Sequence, residues 1–584
     1  MVLGFTGLLT APAVVAWLAA GTLGSGLCAW RVRGAGPLGF RIEWAPLAAG
    51  SLILVGYLLL ATVPPWYRDS MVYHLALPRA FAVAGGYVQP DDNIFASFPL
   101  GYESILAALH ALGPAPDRFP PFNPRLVGVW VSAGAAFATA GLARVAGAPA
   151  KLAGWAGVLL LLVPTLIEFG PSAYVEPYLI LLATLALAGV VRVLEGTRAF
   201  LRPAAAFAGL AASVKYPGLA VVAILAVVQL ASGLRRSPEE SRAALRLTVV
   251  FAIVAGVIAS PFYLRNLIER GNPFFPLAFA TFGGRGWDAW RDWAYGVTLT
   301  NYGLGRQPLD WLLLPFRLFT WTDILRGFEG SIGPVVGLGL LARFSRRNEG
   351  ERWLAGPSLL VVFGLLWFVF WALSVQQARF FLVAVPALLA AGLAAVARVS
   401  PRRAAIAIAV ATMASTAWAA APARHLWERQ HTGEWLAGRL DRARLLSRML
   451  PESYAFEAEL ERLVPAEGKV WLVWMRGYTY YLRRPFRLDS VFEAYRLEGL
   501  LDAHEETADF VAALRADGVT HLLVHERFFL VDENAELTPG RTARLRRRFD
   551  RLTAQGYLRQ VSRWGPVALY AVEPHPVSIA EERP

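Results

Sequence analysis

The sequence predicts an all-α, multi-pass transmembrane bundle of about twelve spans, with interfacial helices in its outward loops and a small C-terminal α/β soluble domain. Three observations carry this prediction. The chain is 56% hydrophobic and 17% charged over 584 residues, with a mean hydropathy of +0.44, too apolar for an ordinary soluble protein of that size. Its apolar residues gather in blocks near the roughly 20 residues that cross a bilayer. Basic residues follow every second block, as the positive-inside rule expects of cytoplasmic connections.

The blocks run over 5–30, 44–63, 125–143, 151–169, 173–192, 204–214, 216–232, 246–263, 329–343, 356–375, 378–397 and 404–421. The first lacks a basic lead and runs too long for a cleavable signal. Arg31, Arg33 and Arg41 follow it, and Arg144 and Lys151 follow the third. Later clusters repeat the pattern: Arg192, Arg198 and Arg202; Arg235, Arg236, Arg242 and Arg246; Arg343, Arg346, Arg347 and Arg352; Arg398, Arg402 and Arg403. The alternation requires 204–232 to be two short passes turning at Ser213-Val214-Lys215-Tyr216-Pro217. Both termini then face outward. Gly, Ala and Ser within the blocks allow close helix approach.

The expected organisation is a transmembrane domain over 1–421 with an outward loop at 64–124, a helical linker over 422–467, and an outward α/β domain over 468–584. Amphipathic stretches 71–84 and 102–112 predict helices lying along the interface. The outward segment 264–328 carries Trp287, Trp290, Trp293, Trp311 and Trp321, an interfacial aromatic layer. Beyond the spans, 469–474, 520–525 and 568–572 read as strands and 507–516 as a helix. The region around Gln430 is expected to be exposed on the outer side.

The net charge of +13 is almost entirely arginine and tracks topology, so no nucleic-acid partner follows from it. Cys28 is the one cysteine, which excludes an internal disulfide. No P-loop, dinucleotide fingerprint or serine nucleophile elbow is present.

Candidate chemistry gathers at the outward ends. Lys215, Arg265, Arg270 and Arg379 break the positive-inside pattern there. Each has two readings: a local ion pair or headgroup contact, or a ligand of a phosphate or diphosphate. Gln376 and Gln377 beside Arg379 add hydrogen-bonding groups. Asp69 lies just past the block 44–63. It is either a helix cap or partner of Arg68 or Arg79, or a general base facing that cationic surface. His74 is an interfacial packing residue or an orienting and proton-relay group. Asp91 and Asp92 read as turn residues or as a second carboxylate, and Glu103 and Glu176 carry the same ambiguity. No spacing is strong enough to assert a metal, so a divalent cation is the one cofactor left open.

At these residues the layout resembles the GT-C superfamily of integral-membrane glycosyltransferases, most of all the branch of protein O-mannosyltransferases, the lipid A aminoarabinose transferase and rhizobial lipopolysaccharide glycosyltransferases. The matching pieces are Arg68-Asp69 with Tyr73-His74, Gly85-Gly86-Tyr87 and Phe98-Pro99-Leu100. They continue through Gly209-Leu210-Ala211-Ala212-Ser213-Val214-Lys215-Tyr216, Pro261-Phe262-Tyr263-Leu264-Arg265-Asn266 with Gly271-Asn272-Pro273, and Gln377-Ala378-Arg379-Phe380-Phe381. Together they extend over approximately 44–400.

The resemblance implies a sugar donor on a polyprenyl phosphate, an acceptor reached from outside, and inversion at the anomeric carbon. Asp69 matches the family's catalytic acidic residue, and Lys215 and Arg379 match basic residues near the donor phosphate. Many relatives place a lysine before the Pro-Leu pair, where this chain has Ser97 and Phe98. The expectation is an inner-membrane glycosyltransferase with Asp69 catalytic and a substrate-binding set of Arg68, Tyr73, His74, Asp92, Glu103, Lys215, Arg265 and Arg379. Its acceptor is a glycan, lipid or protein. A transporter or lipid flippase would instead need charge in mid-membrane and broken helices. A non-catalytic protein of the same fold is the third possibility.

Overall fold

The computed structural model describes residues 1–20, 22, 43–90, 92–233, 237–320, 327–338, 356–450, 454–475, 477–489, 496–530 and 541–577. Cys28, Asp91 and Trp321 lie outside them, as do parts of the first and ninth apolar blocks. Six described helices are long and apolar enough to cross a bilayer: Trp44–Ala61, Arg125–Val145, Glu176–Leu194, Pro238–Arg270, the interrupted Ala378–Val396, and Pro401–Arg429. Four shorter apolar helices accompany them: Ala11–Ala20, Ala150–Leu161, Pro217–Ser232 and Pro357–Leu373.

One expected span is corrected. The block 151–169 is not continuous: Ala150–Leu161 ends and Pro164–Phe169 begins a new helix. Pro164 has no N–H to donate and takes the first helical position, where none is needed. The segment 204–232 divides at Lys215, whose backbone is extended (φ −162°) between Leu201–Val214 and Pro217–Gly233. These two helices pack on each other and on Pro238–Arg270. Small residues set the approach: a Cβ on Gly209 would lie 2.5 Å from the Ala255 carbonyl oxygen.

The 64–124 segment is buried more deeply than an interfacial loop would be. Its helices Ala76–Ala84 and Gly101–Ala111 pack on each other, and the second is mostly buried. Gly101 abuts the turn before Lys215, where an added Cβ would stand 2.8 Å from the Ser213 carbonyl.

Among the described residues the C-terminal sheet has five strands, β1 (Lys469–Val473), β2 (Phe486–Asp489), β3 (Val519–His525), β4 (Leu558–Trp564) and β5 (Val567–Val572). Their order is β2-β1-β3-β5-β4. β1 is parallel to β2 and β3, while β5 is antiparallel to β3 and β4. Helix Thr507–Ala516 precedes β3.

A loop after β1 roofs the 64–124 segment. Thr479 N–H donates to the Met71 carbonyl (3.2 Å), and Tyr481 Oη to that of Pro65 (2.7 Å). Arg79 Nη1 reaches back to the Tyr480 and Leu482 carbonyls at 3.1 and 2.6 Å. Gln430 itself is buried. Its amide donates to the Leu60 carbonyl (3.0 Å) and accepts from Arg125 Nη2 (3.0 Å), closing carbonyls and charge that would otherwise be stranded.

Candidate active site

Asp69 begins a π-helical turn, Ser70–His74, closed by the Leu75 N–H to Ser70 carbonyl bond of 3.0 Å. Such turns widen the helix and recur at functional positions. The Asp69 side chain makes no cap hydrogen bond, so the cap reading fails. Arg79 is paired with Asp117 (3.8 Å). The partner of Asp69 is Arg379, whose Nη1 donates to Oδ2 at 2.8 Å, and Tyr73 Oη donates to the same oxygen at 3.3 Å. The Asp69 N–H donates to Tyr174 Oη at 3.4 Å.

Arg379 stands at the head of helix Ala378–Phe381 with 9% of its side chain exposed. Its guanidinium is enclosed by rings, 5.2 Å from Tyr174 and Phe380 and 5.6 Å from Phe169. Nη2 donates to Gln377 Oε1 (3.3 Å), and Nε lies 3.9 Å from Glu176 and 3.7 Å from Glu329. Lys215 Nζ donates to Glu176 Oε1 at 3.0 Å and lies 4.1 Å from the Phe380 ring centroid. Two cations therefore stand among three carboxylates.

Burial alone would raise the Asp69 pKa. Arg379, then His74 and Lys215, overcome it and hold the group at about 2, against an ordinary 3.8. His74 is fully buried, its Nδ1 2.5 Å from Glu103 Oε1. The Tyr73 ring stacks on Phe95 at 4.4 Å. Arg68 is exposed beside Asp69.

Two expected members stand apart from this cluster. Arg265 Nη2 donates to the Ala96 carbonyl at 2.5 Å, so its charge secures the loop before Phe98. Asp92 Oδ2 accepts the Leu488 N–H at 3.0 Å and ties the loop to β2. In both cases backbone groups need the partner that a substrate was expected to need.

Glu329 and Tyr174 join the site without being anticipated. Glu329 lies at the head of an apolar block in Gly327-Phe328-Glu329-Gly330, and an acid at an outward block end was the available signal. Among the described residues no group of three or more His, Cys, Asp or Glu has metal-holding geometry. The carboxylates surround cations instead.

The profile of the dolichyl-phosphate-mannose-protein mannosyltransferase family matches residues 113–270. That stretch includes Glu176, Lys215 and Arg265 but neither Asp69 nor Arg379. No curated protein sequence matches the chain. The structure is similar to ArnT from Cupriavidus metallidurans in the apo state, with a TM-score of 0.58 and 16% identity over 91% of this chain and 98% of that one. The same protein bound to undecaprenyl phosphate gives a TM-score of 0.56 at the same identity and coverage. The Archaeoglobus fulgidus oligosaccharyltransferase in complex with Zn and sulfate gives 0.50, at 14% identity over 87% of this chain and 71% of that one. The chain thus has the GT-C fold of membrane glycosyltransferases.

Proposed function

We propose that this protein is an inner-membrane glycosyltransferase that moves a sugar from a polyprenyl-phosphate donor to an extracytoplasmic glycan, lipid or protein acceptor, with Asp69 as catalytic carboxylate. The observation that carries this reading is the Asp69–Arg379 pair beside the Glu176–Lys215 pair, in a GT-C bundle. The family profile and the undecaprenyl phosphate held by ArnT support the donor class.

In this reading the donor phosphate binds between Lys215 and Arg379. Arg379 offers a planar fork and Lys215 a point charge. An entering phosphate competes with Asp69 and Glu176 for those cations. Asp69, released from Arg379, then accepts a hydrogen bond from the acceptor hydroxyl or amine and turns its lone pair toward the anomeric carbon. As the new bond forms and the acceptor's proton passes to a carboxylate of the site, the bond from that carbon to the phosphate oxygen breaks. The electron pair leaves with the polyprenyl phosphate, whose added charge the two cations neutralise.

The test is mass spectrometry of envelope glycans and lipid-linked sugars in cells lacking the gene. A glycan residue should disappear while its lipid-linked donor accumulates. Wild-type protein should reverse both, and Asp69→Asn neither. Full restoration by Asp69→Asn would overturn the assignment.

A further inference from the structure

The expected second carboxylate of the loop, Asp92, is spent on a backbone N–H. Glu329 arrives from a different part of the chain. Its Oε2 accepts from Gln377 Nε2 at 2.5 Å and lies 3.7 Å from Arg379 Nε. Gln377 is a clamp, since its Oε1 accepts from Arg379 at 3.3 Å while its amide holds Glu329. Glu329 keeps 38% of its side chain exposed, against 22% for Asp69. It is therefore the most accessible of the three acids around that guanidinium, Glu176 keeping 2%.

The backbone shows that this placement is imposed. Glu329 has φ +55°, a left-handed conformation costly for a residue with a Cβ. Its neighbours hold it there. The Phe328 carbonyl accepts the Ala378 N–H at 2.6 Å, and Phe328 is fully buried against Trp371. The Ser331 carbonyl accepts Thr165 Oγ1 at 2.6 Å, and the Ile332 N–H donates to Leu318 at 3.2 Å. A glycine or asparagine would relieve the strain, so a glutamate here asks for a reason in its carboxylate.

We infer that Glu329 is the second catalytic carboxylate and takes the acceptor proton, while Asp69 orients the acceptor. The inference rests on the glycosyl-transfer reading above. The acceptor oxygen or nitrogen bonds to the anomeric carbon, its proton passes to Glu329, and the carbon–oxygen bond to the phosphate breaks with its electron pair on the leaving group. The environments divide the labour. Burial pushes the Glu329 carboxyl up, Arg379 works against this, and Asp69 and Glu176 add to it; Asp69 is held low beside Arg379. Two acids pushed apart in this way suit different tasks. The charged and titratable groups facing Glu329 are Arg379, Asp69, Glu176, Tyr174 and Tyr302.

The test uses the full chain in detergent, with lipid-linked sugars extracted from the gene-deleted strain as donor and that strain's envelope glycan fraction as acceptor. Wild-type kcat should rise with pH along an acid limb. Glu329→Gln should lose about 100-fold or more in kcat with KM nearly unchanged, and lose that limb. Glu329→Asn tolerates the left-handed backbone and should be as inactive while melting no lower than wild type. Wild-type kcat and pH profile in either variant would overturn the inference. So would activity in Glu329→Asn but not Glu329→Gln, which marks a backbone role. Absence of transfer by wild type would instead overturn the glycosyl-transfer reading beneath it.

Discussion

Arg379 Nη1 donates to Asp69 Oδ2 across 2.8 Å, joining residues 310 positions apart in the chain. The pair connects the first large polar loop to the head of a late apolar helix. It leaves the Asp69 carboxylate ionised and its guanidinium partner committed. The planar geometry matters as much as the charge. Arg379→Lys should keep an ion pair with Asp69 but lose the contact to Gln377, raising KM for the lipid-linked donor and lowering kcat/KM about tenfold or more. Unchanged donor KM would exclude Arg379 from the phosphate.

Asp69→Asn removes the negative partner without changing side-chain size. Transfer should fall about 100-fold or more, while the protein still purifies as a folded membrane species. Wild-type turnover in steady-state assays would contradict the role given to Asp69.

The Glu176–Lys215 pair is nearly closed to solvent, at 2% and 13% side-chain exposure. Removing one partner strands the other charge. Lys215→Met should therefore destabilise by about 3–5 kcal/mol. Adding Glu176→Gln should recover much of that loss in thermal melts, without recovering transfer. Equal melting of the single and double variants would show that the two groups are not coupled.

The depressed Asp69 pKa fixes a pH window. Its folded value is about 2 and its ordinary value 3.8. The associated stability is complete above the higher value and is lost as pH falls through the lower one. The shift corresponds to about 2 kcal/mol. Melting points of wild type and Asp69→Asn should therefore converge between those two pH values. A constant gap across that interval would refute the pairing.

Asp92 gives the 64–124 segment one further tie to the C-terminal sheet. Asp92→Ala leaves the Leu488 N–H without its partner and should cost about 1–3 kcal/mol. Limited proteolysis should then cut the C-terminal domain away faster than in wild type. An unchanged cleavage rate would mean that the loop does not hold β2.

The membrane bundle was legible because apolar block length and arginine placement obey strong, local rules. The break at Lys215 followed from charge alternation, whereas the helix end before Pro164 was missed, because 151–169 is predominantly apolar and reads as one span. β2 and β4 were missed as well, since Phe486–Asp489 is four residues long and Leu558–Trp564 carries Arg559 and Arg563 on an edge strand. Lys215 and Arg379 stood out by breaking the topology rule. Asp69 and Glu176 stood out as acids at outward block ends, but which cation each one meets did not, because pairing across 310 and 39 residues depends on packing that no local pattern records. Arg265 broke the same rule for a different reason: the carbonyls of Ala96 and Phe98 needed a donor. Glu329 stood at the head of a predicted apolar block, and only the packing brings it within 3.7 Å of Arg379.

The loop carrying Thr479 and Tyr481 also sets an order of manufacture. Met71 and Pro65 leave the ribosome some 400 residues before the groups that cover them, and Asp69 waits for Arg379. A nascent chain thus threads its early passes with the Asp69–Arg379 pair still unmade. A product truncated after the last apolar helix would keep the residues of both charge pairs yet lack the groups that cover Met71 and Pro65. The contacts over the 64–124 segment therefore form only near the end of synthesis.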